Sequence, residues 1–297
     1  MQTLTVRHVT QYNYANPVVF QPHRLMLRPR DSHDLRVVSA ELSLSPHANV
    51  RWLHDVFGNS VAVVDFLESA SQLKIESVLT LERYGMGSSV FEIEENAKEY
   101  PFVYSSDDRI DLGRMLDCHY PDPGNELEQW AKGFVAGRPT DTMALLSDLN
   151  DGIHTGFLYN VRHEEGTQTP LETLRLGTGS CRDFALLLIE AARSLGFGAR
   201  FVTGYLYDPA LDGDAPAVIG AGATHAWADI YLPGAGWVEF DPTNGTIAAD
   251  NLIRVAVTRD PSQAVPVAGG FTGMVGDYLG MNVDVSVRSL PPEALAA

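Results

Sequence analysis

The stretch that decides this fold reads Gly177-Thr178-Gly179-Ser180-Cys181-Arg182-Asp183-Phe184-Ala185-Leu186-Leu187-Leu188-Ile189-Glu190-Ala191-Ala192. Its second half is one of the most apolar segments of the chain and predicts a helix in the core. Ser180 and Asp183 have the S-x-x-D spacing of a capping box, which starts the helix at Cys181. The positive end of the helix dipole would then lie at the sulfur and favour the thiolate, the nucleophilic form of cysteine.

An inert buried cysteine is the alternative interpretation, because free cysteine is among the most buried residue types. The glycines at 177 and 179 favour the functional interpretation. A core helix needs no glycine-rich approach, whereas a backbone that passes close to a substrate does. The unsatisfied N–H groups of the first helical turn would also stabilise an oxyanion formed when the sulfur attacks a carbonyl.

Two downstream segments carry the other groups of an activated thiol. His225 lies in one alternating segment, Asp241 ends the next, and the turn at residues 233–236 predicts a hairpin between them. Pairing across that turn puts Asp241 roughly opposite Ala228 and within a few residues of His225. Taken singly, a strand histidine and an aspartate before proline are more often structural. Together with a cysteine, they are the parts of an activated nucleophile.

The remaining periodicities predict an α+β fold in two parts. Alternation punctuated by turns is typical of an antiparallel β domain, which we assign to residues 1–95. Helical spacing follows, with Asn125 as the predicted cap of one helix and Thr169-Pro170-Leu171-Glu172 as the start of another. After the Cys181 helix the period becomes that of strands, at residues 198–207, 224–232 and 236–240, with a Gly- and Pro-rich loop at 208–222. Helices followed by strands indicate an α+β catalytic domain, assigned to residues 96–297 with a C-terminal extension.

Composition narrows the class of function. The 297-residue chain has a formal net charge of −17, which argues against nucleic acid or an anionic membrane as partner, since both are polyanions. Two cysteines, Cys118 and Cys181, make no disulfide framework, although one bridge between them stays open. That cysteine usage and an N-terminus without a signal-peptide pattern predict a cytoplasmic protein. The histidines show no metal-ligand spacing, so we expect neither a metal nor another cofactor.

In their order along the chain, these motifs resemble the core signature of the transglutaminase-like superfamily. The resemblance over the core is carried by Gly179-Ser180-Cys181-Arg182-Asp183-Phe184-Ala185, Gly204-Tyr205, His225-Ala226-Trp227 and Gly236-Trp237-Val238-Glu239-Phe240-Asp241-Pro242-Thr243. Three N-terminal segments are similar to the β domain that precedes the core in bacterial members: Thr10-Gln11-Tyr12-Asn13-Tyr14, His23-Arg24-Leu25-Met26-Leu27-Arg28-Pro29 and Asp55-Val56-Phe57-Gly58-Asn59. Bacterial members are often described as candidate cysteine proteases.

The resemblance implies a papain-like core, in which a helix that carries the cysteine packs on an antiparallel sheet that carries the histidine and the aspartate. It implies Cys181 as nucleophile, His225 as general base and acid, and Asp241 as the residue that orients His225. Three further residues are expected around the oxyanion site or the cleft: Tyr159, Ser180 and Trp227. Packing in the core explains Trp227 equally well, and for Tyr159 it is the better explanation of the two.

Three functions fit this set of residues. The first is hydrolysis of a peptide or carboxamide bond through a thioester, and we favour it because the sequence gives no sign of a dedicated acyl-acceptor site. The second is transfer of the acyl group to an amine, as in a protein-glutamine γ-glutamyltransferase. The third is a non-catalytic scaffold that binds peptide. In each case the expected partner is a peptide or protein, and the lack of an EF-hand-type loop predicts no calcium dependence.

Overall fold

The computed structural model describes residues 2–85, 92–162, 165–212, 219 and 222–290. Most of the loop predicted at residues 208–222 lies outside these ranges. The helices are α1 Ser106–Leu112, α2 Glu126–Lys132, α3 Thr142–Gly156, α4 Pro170–Leu176 and α5 Cys181–Ser194. The strands are β1 Gln2–Phe20, β2 His23–Leu25, β3 Leu35–Ser45, β4 Ala48–His54, β5 Ser60–Phe66, β6 Ala70–Arg83, β7 Glu99–Tyr100, β8 Thr140–Asp141, β9 Leu158–Tyr159, β10 Thr178–Gly179, β11 Ala199–Leu206, β12 Thr224–Leu232, β13 Gly236–Asp241, β14 Thr246–Ile247, β15 Leu252–Thr258, β16 Val267–Ala268, β17 Phe271–Thr272 and β18 Tyr278–Ser289.

The antiparallel sheets predicted for the first third are present, and the end of the chain completes them. In one sheet β6 lies between β3 and β1, and β1 pairs on its other edge with β17 and β18. The second sheet has the order β16-β2-β5-β4. The strands β16, β17 and β18 lie beyond the predicted boundary at residue 95, and they pair with strands that precede it. Alternation along the chain identifies a strand but does not say which distant strand it pairs with.

The core sheet and the Cys181 helix form the α+β unit that the sequence predicts. Its antiparallel strands have the order β14-β13-β12-β11-β15. The helix α5 packs on β12 and β11, and every residue from Cys181 to Arg193 except Arg182 is buried. Small residues on β12, Ala226 and Ala228, lie in the same hydrophobic cluster as α5 and let the helix approach the sheet closely. In the part of the chain that the structure describes, no helix has the length and apolar character needed to cross a membrane.

The starts of two other helices test the capping predictions. Thr169 forms the predicted capping box with Glu172 at the start of α4. Asn125 occupies the predicted cap position of α2, but it adopts a left-handed conformation with φ of 54° and its side chain makes no capping hydrogen bond. The carboxylate of Asp122 takes that role and accepts from the N–H groups of Glu126 (2.8 Å) and Glu128 (3.1 Å). The chain turns between these residues, so an acceptor outside the usual cap position reaches the helix end.

The N-terminal sheets pack directly on the core sheet through apolar and polar contacts. Leu4 and Val6 of β1 share a buried cluster with Tyr205 of β11 and Ile253 of β15. Beside this cluster, the Asn59 side chain bonds both backbone groups of Val257, donating to its carbonyl (2.7 Å) and accepting from its N–H (2.9 Å). The N-terminal Asp-Val-Phe-Gly-Asn motif thus joins the β sheets to the unit that carries the candidate site.

Candidate active site

Cys181 occupies the first turn of α5, as the capping pattern predicts. Ser180 precedes it in an extended conformation, and both the N–H and the hydroxyl of Ser180 donate to one oxygen of Asp183, each at 2.8 Å. The Ser180 hydroxyl is therefore engaged at the helix cap, and its predicted place at the oxyanion site stays a prediction. The backbone N–H groups of Cys181 and Arg182 are left without intrahelical acceptors, as in the first turn of any helix.

Asp183 fixes this helix start to the preceding loop. Its buried carboxylate also accepts two hydrogen bonds from Arg162, at 2.8 and 3.0 Å, and one from the N–H of Gln168, at 2.7 Å. A buried charge is tolerated only when it is paired and hydrogen-bonded. Asp183 meets both conditions, so the position of Cys181 is held by a fully engaged anchor two residues away.

The two glycines before Cys181 also have structural causes of their own. Gly177 ends α4 in the left-handed region with φ of 64°, where glycine has no steric penalty. A Cβ at Gly179 would lie 2.8 Å from Cβ of Asp183 and 3.2 Å from the ring of Phe184. Glycine at 179 is therefore needed for β10 to pack against the first turn of α5.

His225 and Asp241 meet at the ends of their strands. The Nε2–H of His225 donates to Oδ2 of Asp241 at 2.8 Å, and both residues are 1% exposed. The predicted hairpin is present, but its register differs from the expected one, because Ala228 pairs with Phe240 rather than Asp241. Side chains alternate between the faces of a strand, so this one-residue difference puts Asp241 on the face of His225.

The electrostatics of the pair favour an imidazolium beside a carboxylate. Burial by itself lowers the pKa of His225, but the Asp241 charge and hydrogen bond, together with the Cys181 side chain, outweigh burial and raise it to about 10. Burial raises the pKa of Asp241, yet its contacts with His225 and with the following turn lower it overall. Each member of the pair therefore stabilises the charged form of the other.

The second ring nitrogen of His225 is available to exchange a proton. Nε2 is engaged by Asp241, and the buried Nδ1 has no hydrogen bond of close geometry within the described ranges. Cys181 nevertheless interacts with the ring strongly enough to raise the pKa of His225. Long or poorly aligned catalytic hydrogen bonds are common in unliganded sites and tighten when substrate binds.

The turn after β13 holds Asp241 from the other side, and the sequence reading missed it. Oδ1 of Asp241 accepts from the N–H groups of Thr243 (3.0 Å) and Asn244 (3.4 Å), and Oδ2 accepts from the Asn244 side-chain amide (2.8 Å). From α3, the ring of His154 donates to the carbonyl of Thr243 at 2.9 Å. The available sequence signal was the position of Asn244, three residues after the aspartate, within reach of a local side-chain contact.

Tyr159 lies beside the nucleophile. Strand β9 pairs in parallel with β10, with Tyr159 opposite Gly179, and the Tyr159 ring meets Phe184 edge-on at 6.3 Å. Burial and the nearby Cys181 raise the pKa of Tyr159 to about 12. Its hydroxyl therefore keeps its proton at neutral pH and can act as a hydrogen-bond donor.

Trp227 supports the imidazole and does not line an open cleft, contrary to the expectation. Its ring stacks on His225 with centroids 6.1 Å apart and an interplanar angle of 29°. It is 0% exposed and packs with Val202, Leu206 and Leu252. A fully buried ring can hold His225 in place but offers no surface to a substrate.

The other chemistry-bearing side chains give no second centre in the described part of the chain. Cys118 and Cys181 are both free thiols, so the bridge left open by the sequence is not formed. Among the described residues, no group of three or more His, Cys, Asp or Glu side chains is arranged to hold a metal ion.

Comparisons with known proteins agree with this architecture. Residues 4–82 match the bacterial transglutaminase-like N-terminal region, and residues 128–242 match the transglutaminase-like superfamily core. An uncharacterized protein of Mycobacterium tuberculosis is 28% identical over 303 residues, covering 94% of this chain and 91% of that protein. One from Mycobacterium leprae is 24% identical over 306 residues, covering 96% and 99%. The crystal structure of a candidate cysteine protease from Cytophaga hutchinsonii superposes with a TM-score of 0.70 at 18% identity, covering 98% of this chain and 91% of that one, so the two share a fold.

Proposed function

Because the chain belongs to the transglutaminase-like superfamily, with the bacterial N-terminal region ahead of the core, we propose that it is a thiol-dependent acyl-transfer enzyme that hydrolyses peptide or carboxamide bonds. The observation that carries the proposal is the buried His225–Asp241 hydrogen bond of 2.8 Å next to a cysteine in the first turn of a helix. Such a pair supplies the base that a thiol nucleophile needs.

In the acylation step, the proton of the Cys181 thiol is already held on Nδ1 of His225, which is an imidazolium at neutral pH, and the sulfur attacks the carbonyl carbon. This imidazolium is stabilised by Asp241, whose hydrogen bond holds the ring through Nε2. Negative charge develops on the carbonyl oxygen, and the free N–H groups at the start of α5 and the Tyr159 hydroxyl are the donors proposed to receive it. The imidazolium then protonates the leaving amine as the C–N bond breaks, which leaves a thioester on Cys181.

In the deacylation step, His225 removes a proton from water and the hydroxide attacks the thioester. The C–S bond breaks, the carboxylic acid leaves and the thiol regains its proton. Limited access to the thioester favours water as the second nucleophile, because Cys181 is only 8% exposed and water is the smallest acyl acceptor. An amine that reached the thioester would give the transferase reaction instead.

The test begins with the thiol, because alkylation needs no known substrate. Wild type, Cys181→Ala and Cys118→Ala are treated with iodoacetamide near neutral pH and the modified residue is identified by mass spectrometry. We expect labelling of Cys181 in wild type and in Cys118→Ala. Cys118 should not contribute to labelling near neutral pH, because burial and nearby carboxylates raise its pKa to about 11. Wild-type labelling of Cys181 only at alkaline pH would contradict an activated nucleophile.

The same three proteins are then screened with peptides and glutamine amides for release of amine or ammonia. We expect release that requires Cys181 and is unaffected by Cys118→Ala. A primary amine added to the reaction separates the two chemistries. Hydrolysis predicts a carboxylic acid product with or without the amine, and incorporation of the amine into the product would favour the transferase.

A further inference from the structure

The Asp241 carboxylate depends on a side chain in the turn that follows it. Nδ2 of Asn244 donates to Oδ2 of Asp241 at 2.8 Å, and the same oxygen accepts from His225. Nδ2 also donates to the carbonyl oxygen of Ile219 at 3.2 Å. Both amide hydrogens of Asn244 are therefore engaged by acceptors.

These partners determine which way the amide of Asn244 faces. With the amide reversed, its carbonyl oxygen would meet the carboxylate of Asp241 and the carbonyl of Ile219, and three acceptors would face one another. The hydrogen-bond network thus assigns the NH₂ group to Oδ2.

The backbone of the turn is anchored independently of this amide. The N–H groups of Thr243 and Asn244 bond Oδ1 of Asp241, and His154 of α3 bonds the Thr243 carbonyl. A Cβ on Gly245, whose φ is 66°, would lie 2.8 Å from the His154 ring, so the turn and α3 are in close contact. A change confined to the Asn244 side chain leaves these backbone contacts in place.

We propose that Asn244 is a positioning residue of the acyl-transfer site, whose side-chain amide keeps the Asp241 carboxylate ionised and turned toward Nε2 of His225. The inference rests on the proposed function. Without the amide, Oδ2 has one donor fewer in a buried setting, where an under-satisfied charge is costly. Asp241 is then free to rotate away from His225 or to take up a proton.

The direction of the effect follows from the groups around Asp241. These are His225 of β12, Cys181 of α5, Tyr159 of β9, and, through the turn, His154 of α3 and Asn244 itself. Burial raises the pKa of Asp241, whereas His225, the Asn244 amide and the Thr243 N–H lower it. Removal of the amide raises that pKa, so Asp241 becomes protonated at a higher pH and the imidazolium loses its partner there.

The experiment measures the rate of Cys181 alkylation by iodoacetamide from pH 4 to pH 10 in a Cys118→Ala background. The variants are Asn244→Ala and Asn244→Asp, and Asn49→Asp on the exposed surface of β4 is the matched control for the charge change. We expect Asn244→Ala to react about 10- to 100-fold more slowly at pH 6, the value of a hydrogen bond to a charged group, with the acid limb moved to higher pH. Asn244→Asp should move the acid limb to a still higher pH, because a hydrogen-bond donor is replaced by a second carboxylate. The pH–rate profile of Asn49→Asp should match that of wild type.

The outcomes separate this inference from the proposed function. A wild-type profile in both folded Asn244 variants would overturn the role of Asn244 and leave the proposed function intact. Wild-type protein that is not alkylated at Cys181 below alkaline pH would overturn both. If Asn244→Ala does not fold, Asn244→Asp, which keeps the size of the side chain, decides the question. With a hydrolysed substrate in hand, a lowered kcat with unchanged KM is expected, because Asn244 acts through Asp241.

Discussion

Replacing Asp241 by asparagine removes a charge while keeping the size of the side chain, so the variant isolates the electrostatic part of its interaction with His225. In the wild type, burial lowers the pKa of His225, and Asp241 at 2.8 Å together with Cys181 raises it to about 10. In Asp241→Asn the burial remains and the charge is gone. We expect the pKa of His225 to fall far below its wild-type value, because the largest contribution that opposes burial is lost.

The size of the effect follows from the same values. A rise in the pKa of His225 from 6.5 to about 10 corresponds to about 5 kcal/mol in favour of the imidazolium, at about 1.36 kcal/mol per pKa unit. Removal of one partner from a buried charged pair typically costs about 3–5 kcal/mol. Both figures predict that Asp241→Asn abolishes the stabilised imidazolium.

The assay is the rate of Cys181 alkylation against pH, in the Cys118→Ala background. An imidazolium that persists to about pH 10 keeps the neighbouring sulfur reactive in the wild type at pH 6. Without it the sulfur loses the cation beside it, so the alkylation rate at pH 6 should fall about 100-fold or more, the equivalent of the cost of removing one partner from a buried charged pair. A folded Asp241→Asn protein that is alkylated at the wild-type rate at pH 6 would refute this account.

Stability against pH provides a second measurement on the same variant. Between pH 6.5 and about 10 the folded wild type holds a proton on His225 that the unfolded chain releases. The free energy of unfolding should therefore decrease as pH rises through this window. Asp241 acts in the opposite direction, since its lowered pKa contributes stability that is lost as pH falls into the acid range. In Asp241→Asn, the free energy of unfolding measured in urea should show neither of these two pH dependences.

Three further perturbations follow from other contacts. Gly179→Ala puts a Cβ 2.8 Å from Cβ of Asp183 and should lower the free energy of unfolding in urea by about 1–3 kcal/mol. Gly156→Ala, with open space around the new Cβ, is the control. Equal losses of stability in the two variants would contradict a packing constraint at Gly179. Burial lowers the pKa of His8 to about 4, so stability should fall by up to about 3 kcal/mol as pH drops from 6.5 to 4. In His8→Gln that slope should be absent, and an unchanged slope would count against the assignment. Tyr159→Phe should lower kcat for a hydrolysed substrate about 100- to 1000-fold with little change in KM if its hydroxyl receives the oxyanion, and an unchanged kcat would exclude that role.

Local contacts made the start of the site predictable. The helix beginning at Cys181 depends on Ser180 and Asp183, which touch within one turn, and the hairpin depends on the turn between β12 and β13. Interactions of this kind join residues close in sequence, so the residue types and their spacing are sufficient to predict them. The motif order was also enough to identify the superfamily, which the matches over both parts of the chain confirm.

The sequence by itself therefore determined the nucleophile's helix, the α+β class and the residues proposed to act on Cys181. Tertiary structure decided the rest. The pairing of Ala228 with Phe240 sets the face of Asp241, and a strand shifted by one residue would present it to the other side. The return of β18 to β1 was likewise not evident from the pattern. Many registers and partners satisfy the same alternation, and the packing of the whole core selects one of them.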